Sequence, residues 1–185
     1  MKNFFVFLLS VCVFPCMAQQ VETASINSTI LTTKVESVDA LIFPEKCLGV
    51  WEGMMHIYQY NTLRDSVKVR FTAAKTDTSG RYTWKTEYLS PTTPVVKDYE
   101  LVVDDLKKGR YLLDEGDGVK LVEYNVSNKL YSLFKVNDIY LTSTTELLEN
   151  ALIFEVTSGK EIAEEKGVVN YSFANVQRVV LYKIQ

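Results

Sequence analysis

His56 is the only histidine in the 185-residue sequence, and Glu52 stands four residues before it. On a β-strand that spacing puts both side chains on one face, where an imidazole and a carboxylate could share a proton. Metal chemistry needs more, because a zinc site takes three or four converging His, Cys or acidic ligands. The sequence offers no such cluster, so His56 reads as a surface or rim residue. Asp114-Glu115-Gly116-Asp117-Gly118 has the acid-and-glycine character of a calcium loop. It lacks the twelve-residue spacing and closing glutamate of one, and reads as a tight turn. Serines and threonines are plentiful, but there is no Gly-x-Ser-x-Gly turn, phosphate loop or dinucleotide fingerprint. The expectation is a protein that is not an enzyme and uses no cofactor or metal. An enzyme working inside a closed fold would need two or more acids pointing into the interior from distant strands.

The elements that would carry these residues are strands. Val67-Lys68-Val69-Arg70-Phe71-Thr72-Ala73 and Tyr82-Thr83-Trp84-Lys85-Thr86-Glu87-Tyr88 alternate apolar and polar with a period of two. This pattern puts one side of a sheet on a core and the other in water. Ten such segments are predicted: 49–60, 67–73, 82–88, 95–103, 109–114, 118–126, 129–136, 138–147, 150–157 and 168–184. The connections Asp77-Thr78-Ser79-Gly80, Glu115-Gly116-Asp117-Gly118, Ser127-Asn128 and Asn137-Asp138 carry hairpin residues. They are too short for parallel crossovers. An antiparallel meander of this length closes to remove its two edges. The predicted fold is all-β, a single up-and-down barrel of about 8–10 strands with a short N-terminal helical segment. Lys160–Lys166 reads as a charged loop or turn of helix ended by Gly167. A β-bulge is expected at Ala174-Asn175 in the last strand.

The N-terminus is different. Lys2, the apolar run Phe4–Phe14 and the small residues of Cys16-Met17-Ala18 form the pattern of a secretory signal peptide, too short for a membrane span. Residues 1–18 are assigned to the signal, 19–46 to a leader with a short helical segment, and 47–185 to the barrel. Val35, Val38, Leu41 and Ile42 supply the helical spacing, and Pro44 is expected to end it. The protein is expected to be exported, to periplasm or exterior. A lipid anchor at Cys16 is less favoured, because Val13-Phe14-Pro15 lacks the small residue such anchors want ahead of the cysteine. Signal removal takes Lys2 with it, so the mature chain is one charge more acidic than the −3 of the whole sequence. Mild acidity with dispersed basic residues argues against nucleic-acid partners. Two of the three cysteines lie in the signal, so Cys47 cannot form an internal disulfide and reads as a small buried or half-buried residue.

The first barrel strand opens with Gly49-Val50-Trp51. Trp51 fixes the inward face of that strand as Trp51, Gly53, Met55 and Ile57. Alternation extends the set to Val67, Val69, Phe71 and Ala73, then Tyr82, Trp84 and Tyr88, then Tyr99 and Leu101. Later strands add Leu130, Phe134, Leu141, Leu152 and Phe154. Gly-x-Trp on the first strand after a short helical segment resembles the lipocalins and their calycin relatives. The resemblance implies a ligand-holding barrel and a late arginine packed across the tryptophan, a place Arg178 could fill through a cation–π contact. Four features depart from it. The loop after the first strand, Asn61-Thr62-Leu63-Arg64, is short where lipocalins have a long one. Glu123-Tyr124-Asn125 stands where they have a Thr-Asp-Tyr-like signature. The chain has no room for the two-helix lid of fatty-acid-binding proteins, and no C-terminal histidine such as ligates haem in nitrobindin-like barrels.

These readings converge on an exported barrel that carries a small apolar or amphipathic molecule. The expected ligand-binding residues are Trp51, Met55, Val69, Phe71, Trp84, Tyr99, Phe134 and Arg178, with Arg178 orienting a polar head if it turns inward. A void of roughly 300 Å³ or more would suit a carrier, and a solid core would point elsewhere. The alternative is a ligand-free module that binds protein or glycan through exposed tyrosines (Tyr58, Tyr60, Tyr124, Tyr131 and Tyr140).

Overall fold

A computed structural model describes residues 41–185. The expected signal and most of the expected leader, including Val35 and Val38 of the expected helical segment, lie outside the described residues. Eleven strands follow a one-turn helix, α1 (Phe43–Lys46). They are β1 (Gly49–Gln59), β2 (Thr62–Lys75), β3 (Arg81–Tyr88), β4 (Val95–Asp105), β5 (Arg110–Asp114), β6 (Lys120–Val126), β7 (Lys129–Val136), β8 (Ile139–Leu147), β9 (Leu152–Glu165), β10 (Val168–Tyr171) and β11 (Asn175–Lys183). Strands β1 to β9 each pair antiparallel with the next. β9 then pairs with β11, and β11 returns to β1, closing ten strands into a barrel. β10 is the eleventh strand and pairs only with the outer half of β9. No described helix is long and apolar enough to cross a membrane.

Alternation sets the interior. Trp51, Met55, Val69, Phe71, Ala73, Trp84, Leu101, Leu130, Leu152, Val179 and Leu181 form one buried cluster. Charges pair on the outside, as where Glu52 on β1 meets Lys68 and Arg70 across β2, each at 2.6 Å. Several turns take the left-handed backbone their residues suggested: Gly80 (φ 77°), Gly116 (86°), Gly118 (97°), Ser127 (59°) and Asn137 (54°).

One end of the barrel is plugged by α1. Pro44 begins this turn of helix rather than ending one, since a first-turn proline forfeits no helical hydrogen bond. Phe43 is buried with its ring 6.4 Å from that of Trp84. Glu45 pairs with Lys75 at 2.8 Å and accepts from the Tyr82 hydroxyl at 3.3 Å. The Trp51 indole donates to the Cys47 carbonyl at 2.8 Å. Gly49 sits at φ 131°, and a Cβ there would lie 2.4 Å from the Gln185 carbonyl oxygen. The glycine of Gly-x-Trp is thus needed where the two ends of the barrel sheet meet.

Four expectations change. The loop expected after β1 is only the Tyr60-Asn61 turn, with Tyr60 at φ 52°, and β2 begins at Thr62. Lys160–Glu165 is strand, not helix or loop. The Lys166-Gly167 turn (φ 54° and 81°) folds it onto β10, so pairing overrides the helix propensity of its Glu, Lys and Ala residues. The last strand breaks at 172–174, reaching Ala174 of the expected bulge, and the ladder with β9 resumes at Asn175. Arg178 is not the partner of Trp51. Val179 and Leu181 point inward, so Arg178 points out and bonds Glu155 at 2.7 Å. The cation over the Trp51 ring is Lys183, 5.5 Å from its centre.

One seam is incomplete. β5 pairs with β6, and β7 with β8, along their lengths. The β6–β7 ladder ends after Tyr124–Tyr131, Asn125–Leu130 and Val126–Lys129. Beyond it, the Ser132 hydroxyl reaches across to the Val122 carbonyl at 2.7 Å.

Candidate functional site

The barrel encloses a cavity of about 140 Å³. Its wall is built by inward residues of strands that alternate as the sequence predicts. Val69 and Phe71 come from β2, Trp84 and Tyr88 from β3, and Tyr99 from β4. Phe134 lies on β7, Leu141 on β8, Leu152 and Phe154 on β9, and Val179 and Leu181 on β11. Phe71 and Trp84 meet edge to face at 4.9 Å and 79°, the geometry that suits two ring quadrupoles.

Tyr88 and Lys97 also line an open cleft beneath the Leu89–Thr93 loop, which places the mouth at the end opposite α1. The Lys97 ammonium stands 5.9 Å from the ring centres of both Tyr88 and Tyr99. Burial, and then the neighbouring Glu115 carboxylate, push the Tyr99 hydroxyl up to about 12. Asp114 and Asp117 of the acidic loop are used within it. Asp114 accepts from the Gly116 amide and pairs with Arg81 at 3.0 Å, which holds its carboxyl below the ordinary value. Asp117 accepts from the Val119 amide. Glu115 is left facing the cavity.

Deeper in, Glu123 is 4% exposed. Burial alone pushes its carboxyl up from 4.5 to about 8. It shares the wall with Ser143 and Thr145. No buried side-chain oxygen among the described residues lacks both a partner and access to open space. The free Glu123 oxygens therefore open onto the cavity.

Of the eight residues named from sequence, Val69, Phe71, Trp84, Tyr99 and Phe134 line one cavity. Trp51 and Met55 are buried in the core beside it, and Arg178 is outside. Glu123, Glu115 and Lys97 line the cavity but were not among those eight. The β6 pattern misdirects, because Val122, Tyr124 and Val126 make the more apolar face yet lie outside, while Leu121 and Glu123 face in. Carrying the parity across the register pair Leu113–Leu121 would have found Glu123.

On the outside, Tyr58, Tyr60, Tyr124 and Tyr131 are exposed, whereas Tyr140 is half-buried against Tyr171, ring centres 4.6 Å apart. His56 is exposed, its Nδ1 2.9 Å from the Ser66 hydroxyl. Among the described residues, no three His, Cys, Asp or Glu side chains converge on a point that could hold a metal ion.

No family model and no curated protein matches the chain. Among solved structures, it is similar to the S-type phycobiliprotein lyase CPES from Guillardia theta. The TM-score is 0.55 with 8% identity, covering 77% of this chain and 91% of that one. A second structure, Rv2717c from M. tuberculosis, aligns with a TM-score of 0.36 and 13% identity over 75% of this chain and 92% of that one. The first likeness, with the closed ten-stranded topology, supports a calycin-like fold.

Proposed function

We propose that this chain is an exported barrel that holds one small molecule in its interior. The observation that carries the reading is the aromatic-walled cavity of about 140 Å³ with a few polar groups set into it, the usual composition of a small-molecule site. The volume is below the roughly 300 Å³ typical of drug-sized pockets. It is close to the ~150 Å³ cavity that takes benzene in another protein, so the cargo that fits is of that size. Export rests on Lys2, the Phe4–Phe14 run and the small residues before Gln19.

Native mass spectrometry of protein recovered from the exported fraction tests both parts. The expected result is a mature chain cut after Ala18 carrying a bound small mass. A chain retaining residues 1–18 overturns export. Ser143→Leu, which fills the cavity from β8, is expected to abolish uptake of toluene while the protein stays folded; uptake unchanged in that variant overturns the interior site.

The rival reading, an interaction surface, is favoured by one observation. Tyr124 and Tyr131 face each other across β6 and β7, 46% and 45% exposed, with Leu133 at 72% beside them. Aromatic enrichment of this kind marks interfaces. Under that ligand-free reading the barrel takes up no toluene, and Tyr131→Ser abolishes partner capture.

A further inference from the structure

Glu123 is the feature that an apolar-ligand site does not explain. It is a carboxyl nine-tenths buried, open onto a cavity walled by aromatic rings, and among the described residues it has no ion-pair or hydrogen-bond partner. A buried acid is costly unless something pairs with it. A barrel that needed only an apolar interior would place leucine there, as it does at Leu121 and Leu113 on the same wall. The charge of the cavity points the same way. Its acids are Glu115 and Glu123, and its one cation, Lys97, is exposed at the mouth. A carboxylate-headed ligand driven inward would meet Glu123 with no cation beside it.

We propose that the cavity takes a small protonated amine, its ammonium held by the Glu123 carboxylate and its hydrocarbon part packed against Phe71, Trp84 and Phe134. The proposal rests on the reading of the interior as a small-molecule site and names the chemical class of its ligand. An ammonium has three donors to satisfy. Glu123 supplies two acceptor oxygens, and the hydroxyls of Ser143 and Thr145 line the same cavity. Faces of Trp, Tyr and Phe attract cations once water is excluded. The volume suits a single ring or a short alkyl chain.

Free Glu123 is protonated at neutral pH, so binding an ammonium as an ion pair releases one proton. Other titratable and charged groups face the same cavity. Tyr88, Tyr99 and the register partner Tyr111 are pushed up by burial and stay neutral. Lys97 and Glu115 stand at the mouth, and Ser132, Ser143 and Thr145 do not titrate.

Calorimetric titration of the folded barrel with benzylamine, toluene and benzoate tests the assignment. Benzylamine is expected to bind at least about tenfold tighter than toluene, and benzoate not at all. Its affinity should rise by close to tenfold per pH unit between pH 6 and 7.5, as one proton leaves. Glu123→Gln should weaken benzylamine at least tenfold and erase the pH slope. Benzylamine no tighter than toluene, or a flat pH profile in the unsubstituted protein, overturns the amine assignment while leaving the cavity as an apolar site. No binding of benzylamine or toluene overturns both readings.

Discussion

At neutral pH the Glu123 side chain keeps its proton, because burial moves its pKa from 4.5 to about 8. The unfolded chain loses that proton near 4.5 and the folded chain near 8. Between those values the folded state holds more protons, so stability falls as pH rises. The penalty is absent below the lower value and complete above the upper one, at about 3–5 kcal/mol from the size of the shift. Glu123→Gln is therefore expected to flatten this part of the pH–stability curve and raise the melting temperature at pH 8–9. Thermal denaturation from pH 4 to 9 checks it, and an unchanged slope would place the carboxyl in contact with water. Cys47 behaves oppositely in reactivity. It is fully buried and its thiol is pushed up to about 12 by burial, so a thiol reagent is expected to label it only at the rate of unfolding. Fast labelling of native protein would contradict the α1 plug. The burial of Trp51, Val69, Phe71 and Trp84 could be read from alternation, because their strands have one clearly apolar face. Glu123 was harder, because the apolar face of its strand is turned to solvent and only the outward Tyr124 and the register with β5 signal its inward turn.

Among the elements, β9 and its partners show where local sequence and pairing disagree. Lys160–Glu165 has the composition of a helix, yet it lies in a ladder with β10. The hydroxyl of Ser172 accepts from the Lys160 amide and donates to its carbonyl. At the same crossing, a Cβ on Gly159 would lie 1.7 Å from the Ser172 carbonyl oxygen. Gly159→Ala is expected to force the two strands apart and cost about 2 kcal/mol or more. Chemical denaturation measures the loss, and a cost below about 0.5 kcal/mol would show that the crossing yields easily. The helix α1 acts at the other end through Phe43. Phe43→Ala removes a buried ring packed on Trp84 and is expected to cost about 3–5 kcal/mol. The short helix ahead of the barrel was foreseen but misplaced by a turn, since Pro44 signals both the end of one helix and the first turn of another. The hairpins were easier, because Gly80, Gly116, Gly118 and Asn137 declare their backbone conformation by residue type.

For the whole molecule, closure of the meander was legible, since short connections allow only antiparallel neighbours and a closed sheet leaves no edge. The size of the interior was not, because it depends on how ten sets of inward side chains mesh. The extra strand β10 was hidden inside a segment that read as one long strand. Closure is also uneven around the circumference. Along β6 and β7 only three register pairs zip the two strands, and the rest is spanned by the Ser132–Val122 bond. Backbone amides facing that seam should exchange with deuterium well before those of the β1–β2 ladder, which pairs from Gly49–Ala73 to Gln59–Thr62. Uniform exchange around the barrel would show the seam to be as tight as its neighbours. Mechanically the barrel resembles a cylinder slit part of the way along one side. Were that seam the first to part, a guest inside would gain a sideways way out besides the Lys97 mouth, and substitutions at Lys97 would alter the traffic through only one of them.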